Sequence, residues 1–449
     1  MREIIHIQIG QGGNQLGIKY WEIIASEHGL TNDGFFRGDS DLQIRGIPVN
    51  FSESICNKFV PRAILIDLEP SVLEKIRNSS LGGIFRPDNF INGFCGASNN
   101  FARGFYTDGA DLLDSAMEVI RKEVENCDSI QGFQILHAVG GGTGSGLGSL
   151  VLYKVLDEYT DRIRNTFSIF PSPKLSDAVV EPYNTLLTSN NLISMCHGTY
   201  IMDNEALYNI CDKILKLEHP LYADYNHLIS NSMSGVTTSI RFAGQLNADL
   251  RKLATNLVPF PRFHFFVTSH APLCSRFNKS YKTYSIHEIV QDAFNCQNQM
   301  TVCDPRRGRF LTAAAIFRGK FSIRDIDGEV IQFQNKNSAY FAEWVPNNVK
   351  TILCDIPPAG FRKAITFVGN TTAIHNSFVK IQEDFSYMYK RRAYLHWFLE
   401  EGMEEEEFHE AEINILNIIE DYQRLQTGKA GINASIDSDL GIEEGESSL

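Results

Sequence analysis

The sequence predicts an α/β fold: a Rossmann-like parallel-sheet N-terminal domain, a second α/β domain, a C-terminal helical hairpin and an acidic tail. Three observations carry this reading. Apolar, β-branched runs alternate with helix-length amphipathic runs through the first half of the chain, the pattern of a parallel sheet covered by helices on both faces. Six glycines fall between Gly140 and Gly148, between two apolar runs. The charge is also segregated: residues 400–449 hold fifteen Asp/Glu against two Lys/Arg, which equals the net charge of −13 and leaves 1–399 neutral.

In chain order, "EIIHIQIG" reads as a strand, "QGGNQ" as a glycine turn and "LGIKYWEIIASEHG" as a helix. "RAILIDLEP" (62–70) is a buried strand ending in Asp67 and Glu69, stopped by Pro70. Residues 108–127 form an amphipathic helix with Leu112, Ala116, Val119 and Val124 near helical spacing. "GFQILHAVGGG" is a strand entering the glycine loop, and "LGSLVLYKVLDEYT" is the helix leaving it. "NTFSIFPSP" (165–173) is a further strand ended by prolines. From Asn204 a long helix reads "NEALYNICDKILKL". Strands such as 262–270 and 311–319, mixed with helices, then predict the second α/β unit. Two helices follow, 377–401 as one and a second with the stripe Phe408, Ala411, Ile415, Ile418 and Tyr422. The expected domains are 1–205, 206–380 (a core helix plus the second α/β unit), 381–425 and a disordered acidic tail over 426–449.

Composition excludes several classes. A length of 449 residues exceeds one ordinary core. No run of eighteen uncharged apolar residues occurs, and "MREIIHIQIG" lacks the pattern of a secretory signal, so no membrane association is expected. Nine scattered cysteines without a C-x-x-C predict reduced thiols in the cytosol. A neutral body with an acidic end argues against nucleic acid. It suits basic partners, or simply a solvated surface.

A glycine loop between strand and helix is where backbone N–H groups and the helix dipole favour an anion. Thr143 and Ser145 add hydroxyl donors. A flexible linker is the competing reading, but linkers rarely join two apolar elements with no polar spacer. The loop has no lysine, which rejects the P-loop pattern. Thr143 stands where a nucleophile elbow needs glycine. The strand "NTFSIFPSP" ends without the acid that a dinucleotide site requires. Two more small-residue turns, "GQGGNQ" (10–15) and "GFCGASNN" (93–100), stand at expected sheet ends. Together they suggest a polyphosphate wrapped by three loops, with Asp67 and Glu69 orienting a hydrated Mg²⁺; the bland alternative for that pair is surface charge.

These residues coincide with a known family. "GGGTGSG" (140–146) resembles the phosphate loop of tubulins and of the related bacterial division GTPase. The chain is similar to tubulins, and closely to β-tubulins, as far as about residue 425. The likeness runs through "MREI", "IDLEP" (66–70), "IFRPDNF" (84–90), "RKE" (121–123), "VEPYN" (180–184), "DNEALY" (203–208), "GQLNADLRKLA" (244–254), "VPFPR" (258–262), "CDPR" (303–306), "QNKNSAYFAEWVPNNVKT" (334–351) and "CDIPP" (354–358).

The resemblance implies a cytoplasmic, cytoskeletal GTPase subunit that binds GTP or GDP with Mg²⁺, pairs with α-tubulin and polymerises into microtubules. It implies that the N-terminal domain binds GTP and that the acidic C-terminal region meets microtubule-associated proteins and motors. Gln11, Gly12, Asn99, Ala138, Gly142, Thr143 and Gly144 match positions on the phosphates, and Asp177 the ribose contact. Asn204 and Asn226 match the residues that read guanine, and Tyr222 the ring that stacks on it, which suits amides and an aromatic face. Glu69, beside Asp67, is similar to the Mg²⁺-associated acid. Lys252 stands where α-tubulins carry the glutamate that orients water onto the next subunit's GTP; a lysine cannot be that base and is expected to meet the partner's unhydrolysed nucleotide. No catalytic residue is therefore expected in this chain.

Departures are equally specific. β-Tubulins usually have Cys, Gly and Ser where this chain has Gly12, Ser98 and Ala138. Ala138 removes a hydroxyl worth roughly 0.5–1.5 kcal/mol as a hydrogen bond, and Ser98 makes one phosphate turn less permissive. Ser239 and Cys274 replace residues of drug pockets, and the tail lacks a dense glutamate run. An alternative follows: a β-like structural or regulatory subunit that co-assembles but hydrolyses GTP poorly.

Overall fold

The computed structural model describes residues 2–38, 40–54, 56–172, 176, 178–242, 249–273 and 284–427. Of the tail expected over 426–449, Gln426 and Thr427 instead belong to the helix Glu405–Thr427, and residues 428–449 lie outside the described residues. Twelve strands are described: β1 Glu3–Ile9, β2 Phe51–Glu53, β3 Phe59–Pro61, β4 Ala63–Asp67, β5 Phe90–Asn92, β6 Ile130–Ala138, β7 Ile163–Phe170, β8 Gly198–Asp203, β9 Phe265–Ala271, β10 Phe310–Gly319, β11 Val349–Cys354 and β12 Lys363–Thr371. Ten join one sheet in the order β11-β10-β12-β9-β8-β7-β6-β1-β4-β5, while β2 and β3 pair separately.

From β5 to β9 every pairing in that sheet is parallel. Only β12 runs against its neighbours β9 and β10. The second α/β unit is thus present, and its strands extend the first sheet. The junction is β8 to β9, with Thr199 opposite Phe265 and Ile201 opposite Val267. Both faces are covered, which explains the continuous apolar strands. Along β4, Ile64 and Ile66 enter one core and Ala63 and Leu65 the other.

Helix Gly10–Glu27 leaves β1 and packs along the core helix Tyr222–Arg241. At their far ends lies a buried charge cluster. Glu27 accepts from Arg241 Nη1 at 2.7 Å and from Arg318 Nη1, on β10, at 2.8 Å. The Ser234 hydroxyl contacts both Glu27 oxygens at 2.8 Å. All four side chains are buried. On the opposite face, helices His375–Tyr389 and Glu405–Thr427 pack on each other and on Glu181–Met195. The expected stripe Phe408, Ala411, Ile415, Ile418 and Tyr422 faces that core.

Two local readings need correction. The helix Asp108–Glu125 buries Leu113, Ala116, Met117 and Ile120, one step round from the expected stripe, leaving Leu112, Val119 and Val124 half-buried. The expected single helix 377–401 breaks after Tyr389 and resumes only at His396–Leu399. Arg392 (φ 50) and Tyr394 (φ 59) take left-handed conformations that end a helix, and the Tyr183 hydroxyl donates to Ala393 O at 2.7 Å.

Burial opposes ionisation of Glu27, but Arg318 and Arg241 outweigh it and hold the carboxyl down to about 2. A depressed carboxyl stabilises the fold above its ordinary value near 4.5 and loses that contribution as pH falls toward 2. Glu27→Gln is expected to destabilise the protein by about 3–5 kcal/mol, because two arginines stay buried without their counter-charge. Unfolding at neutral pH measures it; a loss under about 1 kcal/mol would contradict the account.

Candidate functional site

The parallel strands place all their C-terminal ends on one edge of the sheet, where open α/β sheets bind ligands. β1 passes directly into helix Gly10–Glu27, so the expected glycine turn at 11–15 is instead the first turn of that helix and carries Gly10, Gln11 and Gly12; Asp67 ends β4 and Glu69 follows it; the loop after β5 runs through Asn99; and the loop after β6 is Val139–Gly142. They are in mutual contact. Gly10 (φ +73) lies so close to Gly144 that an added Cβ would sit 3.1 Å from its nitrogen. A Cβ on Gly12 would meet the Ala138 Cβ at 3.0 Å, so two of the departures are neighbours. A Cβ on Gly141 would find Asn99 Oδ1 as its nearest neighbour, at 3.9 Å, and one on Gly96 would find Glu69 Oε2 at 3.7 Å.

After β6 the chain makes one wide turn, Thr143–Leu147, before the regular helix Gly148–Glu158. Such wide turns often occur at functional sites. The Ser145 hydroxyl is turned back onto the carbonyls of Gly141 and Gly142. It stabilises the loop from within, a different role from the anion donor expected of it.

Two buried residues that sequence reasoning missed fix the loops. Asn184 Nδ2 donates to Asn99 O at 2.7 Å and Gly140 O at 2.9 Å, while its Oδ1 accepts from Phe101 N at 3.0 Å. It ties the third and fourth loops together. His137 Nδ1 lies 2.8 Å from Gly144 O and its Nε2 lies 2.8 Å from Ser168 Oγ. A carbonyl only accepts, so Nδ1 carries the proton and Nε2 accepts from Ser168. Burial drives the His137 pKa down to about 4, so the ring is neutral at pH 7. A polar residue inside an apolar helix or strand was the available signal for both.

Asp67 is buried at the end of β4. Its Oδ1 accepts from Glu69 N at 3.3 Å, and its Oδ2 has no partner among the described residues. Burial pushes its carboxyl up to about 6, and the neighbouring Glu69 charge adds to the rise. An orphaned carboxylate oxygen beside a second carboxylate fits a divalent cation. No cluster of three or more His, Cys, Asp or Glu stands ready among the described residues. The pair therefore suits an ion that takes one or two carboxylates and fills its shell with phosphate and water, as Mg²⁺ does.

Further along the same edge, Asn204 opens the helix Asn204–Asn209 after β8, which touches the core helix. Tyr222 is the first residue of that core helix and is exposed; Asn226, one turn on, is nearly buried. Asp177, Cys274 and residues 243–248 lie outside the described residues. Ser98 and Asn99 have φ of 48° and 57°, which gives the reduced permissiveness of Ser98 a physical form.

Lys252 lies elsewhere. It is exposed on the helix Leu250–Leu257, where Arg251 donates to Asp161 O at 2.6 Å and Asp249 pairs with Arg2. Asp161 lies two residues before β7 and Arg2 immediately before β1, so this helix sits at the opposite edge of the sheet. At about 3.3 Å per residue, strands of this length separate the edges by roughly 20–30 Å.

The loop contacts predict a contrast between two glycines. Gly144→Ala puts a Cβ 2.4 Å from Ala138 O and should destabilise even ligand-free protein by roughly 1–3 kcal/mol. Gly141→Ala has room and should leave that stability intact while weakening binding of a phosphorylated ligand, because its open side faces Asn99. Melting and ligand titration of both variants check this; equal melting of the two would refute the packing argument.

With this geometry in hand, comparison with protein-family models finds two matches. Residues 3–212 match the Tubulin/FtsZ family GTPase domain, and residues 261–383 match the tubulin C-terminal domain.

Proposed function

The chain belongs to the tubulin/FtsZ family, a cytoskeletal family of GTP-binding GTPases, and we propose that it is a β-type tubulin subunit. It binds GTP, pairs with α-tubulin and polymerises into microtubules in the cytoplasm. The observation that carries this reading is the separation of the phosphate cradle from Lys252 by the full height of the sheet. Lys252 cannot reach its own chain's nucleotide, so it meets a phosphate only on another subunit stacked end-on.

On this reading Gln11, Gly12, Asn99, Ala138 and Gly142–Gly144 hold the phosphates through backbone N–H groups, amides and the Thr143 hydroxyl. Asp177 contacts ribose, Asn204 and Asn226 read the guanine edge, and Tyr222 stacks on its face. Asp67 and Glu69 hold Mg²⁺, which neutralises phosphate charge. His137 and Asn184 keep the loops in place. The cradle binds and orients; the acid that activates water comes from the α-subunit capping the site. Where Lys252 meets the α-subunit's nucleotide, a cation replaces that acid, so that nucleotide persists. The acidic helix Glu405–Thr427 and the tail offer a surface to basic microtubule-associated proteins and motors.

A second reading is favoured by one local observation: Gly12 and Ala138 are neighbours where a hydroxyl is absent, and Ser98, in the loop after β5, takes a left-handed conformation. It makes the chain a β-like subunit that co-assembles but hydrolyses slowly. Pelleting with α-tubulin under a phosphate-release assay separates the two, since incorporation without release selects the second. Extraction of no guanine nucleotide from the co-purified complex would defeat both. Lys252→Ala should weaken the heterodimer by roughly tenfold or more, as loss of a charge-assisted phosphate contact; an unchanged dissociation constant would remove Lys252 from that role.

A further inference from the structure

The short helix Phe101–Tyr106 follows the loop that carries Asn99. A helix of this length does not hold itself together in water, so its place is set by what touches it on either side. Its inner face meets the phosphate loop backbone to backbone: a Cβ on Gly104 would strike Gly142 O, and one on Gly146 would strike Phe101 O. Outward movement of this helix therefore removes one wall of the turn Thr143–Leu147 and pulls on Asn99, two residues before the helix.

The outer side of the same helix is bonded to residues near the other end of the chain. Asn100 Nδ2 donates to Trp397 O at 2.8 Å, the Tyr106 hydroxyl to Glu407 Oε2 at 2.6 Å, and the Thr107 hydroxyl to Glu401 Oε2 at 2.8 Å. Thr107 Oγ1 also lies 3.0 Å from Arg103 O. The receiving segment is itself fixed. Glu407 Oε1 accepts from Glu404 N at 3.1 Å. The Tyr183 hydroxyl holds Ala393 O, and its ring packs on Phe385, Phe398 and Phe408. Tyr183 precedes Asn184, which holds the carbonyls of Asn99 and Gly140. Residues 393–407 thus brace the phosphate loop twice, through helix Phe101–Tyr106 and through the helix of Asn184. On sequence alone Glu401 and Glu407 belong to the solvated acidic end. The fold instead gives them hydroxyl donors from the region of the GTPase domain, in bonds strengthened by the carboxylate charge.

We propose that Tyr106 and Thr107, held by Glu407 and Glu401, are positioning residues for the nucleotide. They press helix Phe101–Tyr106 onto the phosphate loop and so slow the release of bound nucleotide. The inference rests on the reading of that loop as the phosphate cradle. Neither side chain touches the nucleotide; both act through the helix.

The test uses the heterodimer with α-tubulin, loaded by exchange with a fluorescent guanine nucleotide. Release rate and thermal melting are read for each variant. Tyr106→Phe combined with Thr107→Val removes both hydroxyls and should speed release about fivefold or more. Glu401→Ala combined with Glu407→Ala should speed it by the same factor. All four changes together should add nothing further, because the two pairs remove the same bonds. Thr107→Ser, which keeps a hydroxyl, should stay within about twofold of wild type. Unchanged release from the hydroxyl pair overturns the proposal, and a lower melting temperature alongside it assigns these bonds to stability alone. A quadruple variant whose effect is the product of the two pairs also overturns it, since the side chains then act apart from these bonds. If the hydroxyl pair yields no heterodimer, Tyr106→Phe alone decides the same question at about twofold or more. A wild-type heterodimer that takes up no guanine nucleotide marks failure of the cradle reading itself, and this assignment falls with it.

Discussion

Glu27 between Arg241 and Arg318 is the interaction on which the geometry of the site depends. Helix Gly10–Glu27 begins beside the phosphate loop and ends at Glu27, while helix Tyr222–Arg241 begins at Tyr222 and ends at Arg241. Both start at the site, and both are clamped together at their far ends by one ion pair. At about 1.5 Å per residue each spans roughly 27–30 Å, so axial slip at the clamp would move Gln11 relative to Tyr222 and Asn226. Arg318 adds the second α/β region to the same knot. Burying three charges is costly and contributes little net stability compared with an apolar core. What the cluster supplies is a single register for two helices which, on the proposed reading, address one ligand from two sides.

Much of this was legible in the sequence because it is local. β-Branched runs fix their own strands, and glycines bracketed by a strand and a helix mark a loop that must approach something closely. Asp67 and Glu69 follow from a strand that stops at Pro70. The remainder depends on contacts between distant residues. His137 and Asn184 read as ordinary polar residues until the fold brings them under the loops. The core helix contains "SNSMSGVTTSI", poor in helix formers, and is helical because that face is buried against helix Gly10–Glu27. The break after Tyr389 is equally silent in sequence, since its left-handed residues are arginine and tyrosine rather than glycine.

The parallel sheet gives the molecule two unlike ends. The candidate loops gather at the C-terminal ends of the strands, and the N-terminal ends carry the helix Leu250–Leu257 with Lys252. An end-on contact between two such molecules is necessarily heterologous, and repetition without closure yields a polar filament. Joining β9–β12 to the same sheet makes both ends one rigid body, so a contact at one end bears on the loops at the other through packed strands rather than across a flexible joint.

The departures around the cradle are best understood as a connected set. Gly12 and Ala138 touch, so a larger residue at either position must be accommodated by the other. Ser98 and Asn99 are consecutive left-handed residues, each at a cost of roughly 1–2 kcal/mol for a side chain with a Cβ, least for asparagine. Asn184 offsets part of it by accepting the Phe101 N–H and donating to Asn99 O, a bond that requires the Asn99 carbonyl to point inward. With that carbonyl held, the Asn99 amide is carried to the Gly141 side of the loop, where the backbone is open. Strain that persists at such a point is maintained by the surrounding contacts. Here those contacts run from Asn184 through Gly140 to the phosphate loop, so the strained turn and the glycine cradle form one preorganised unit.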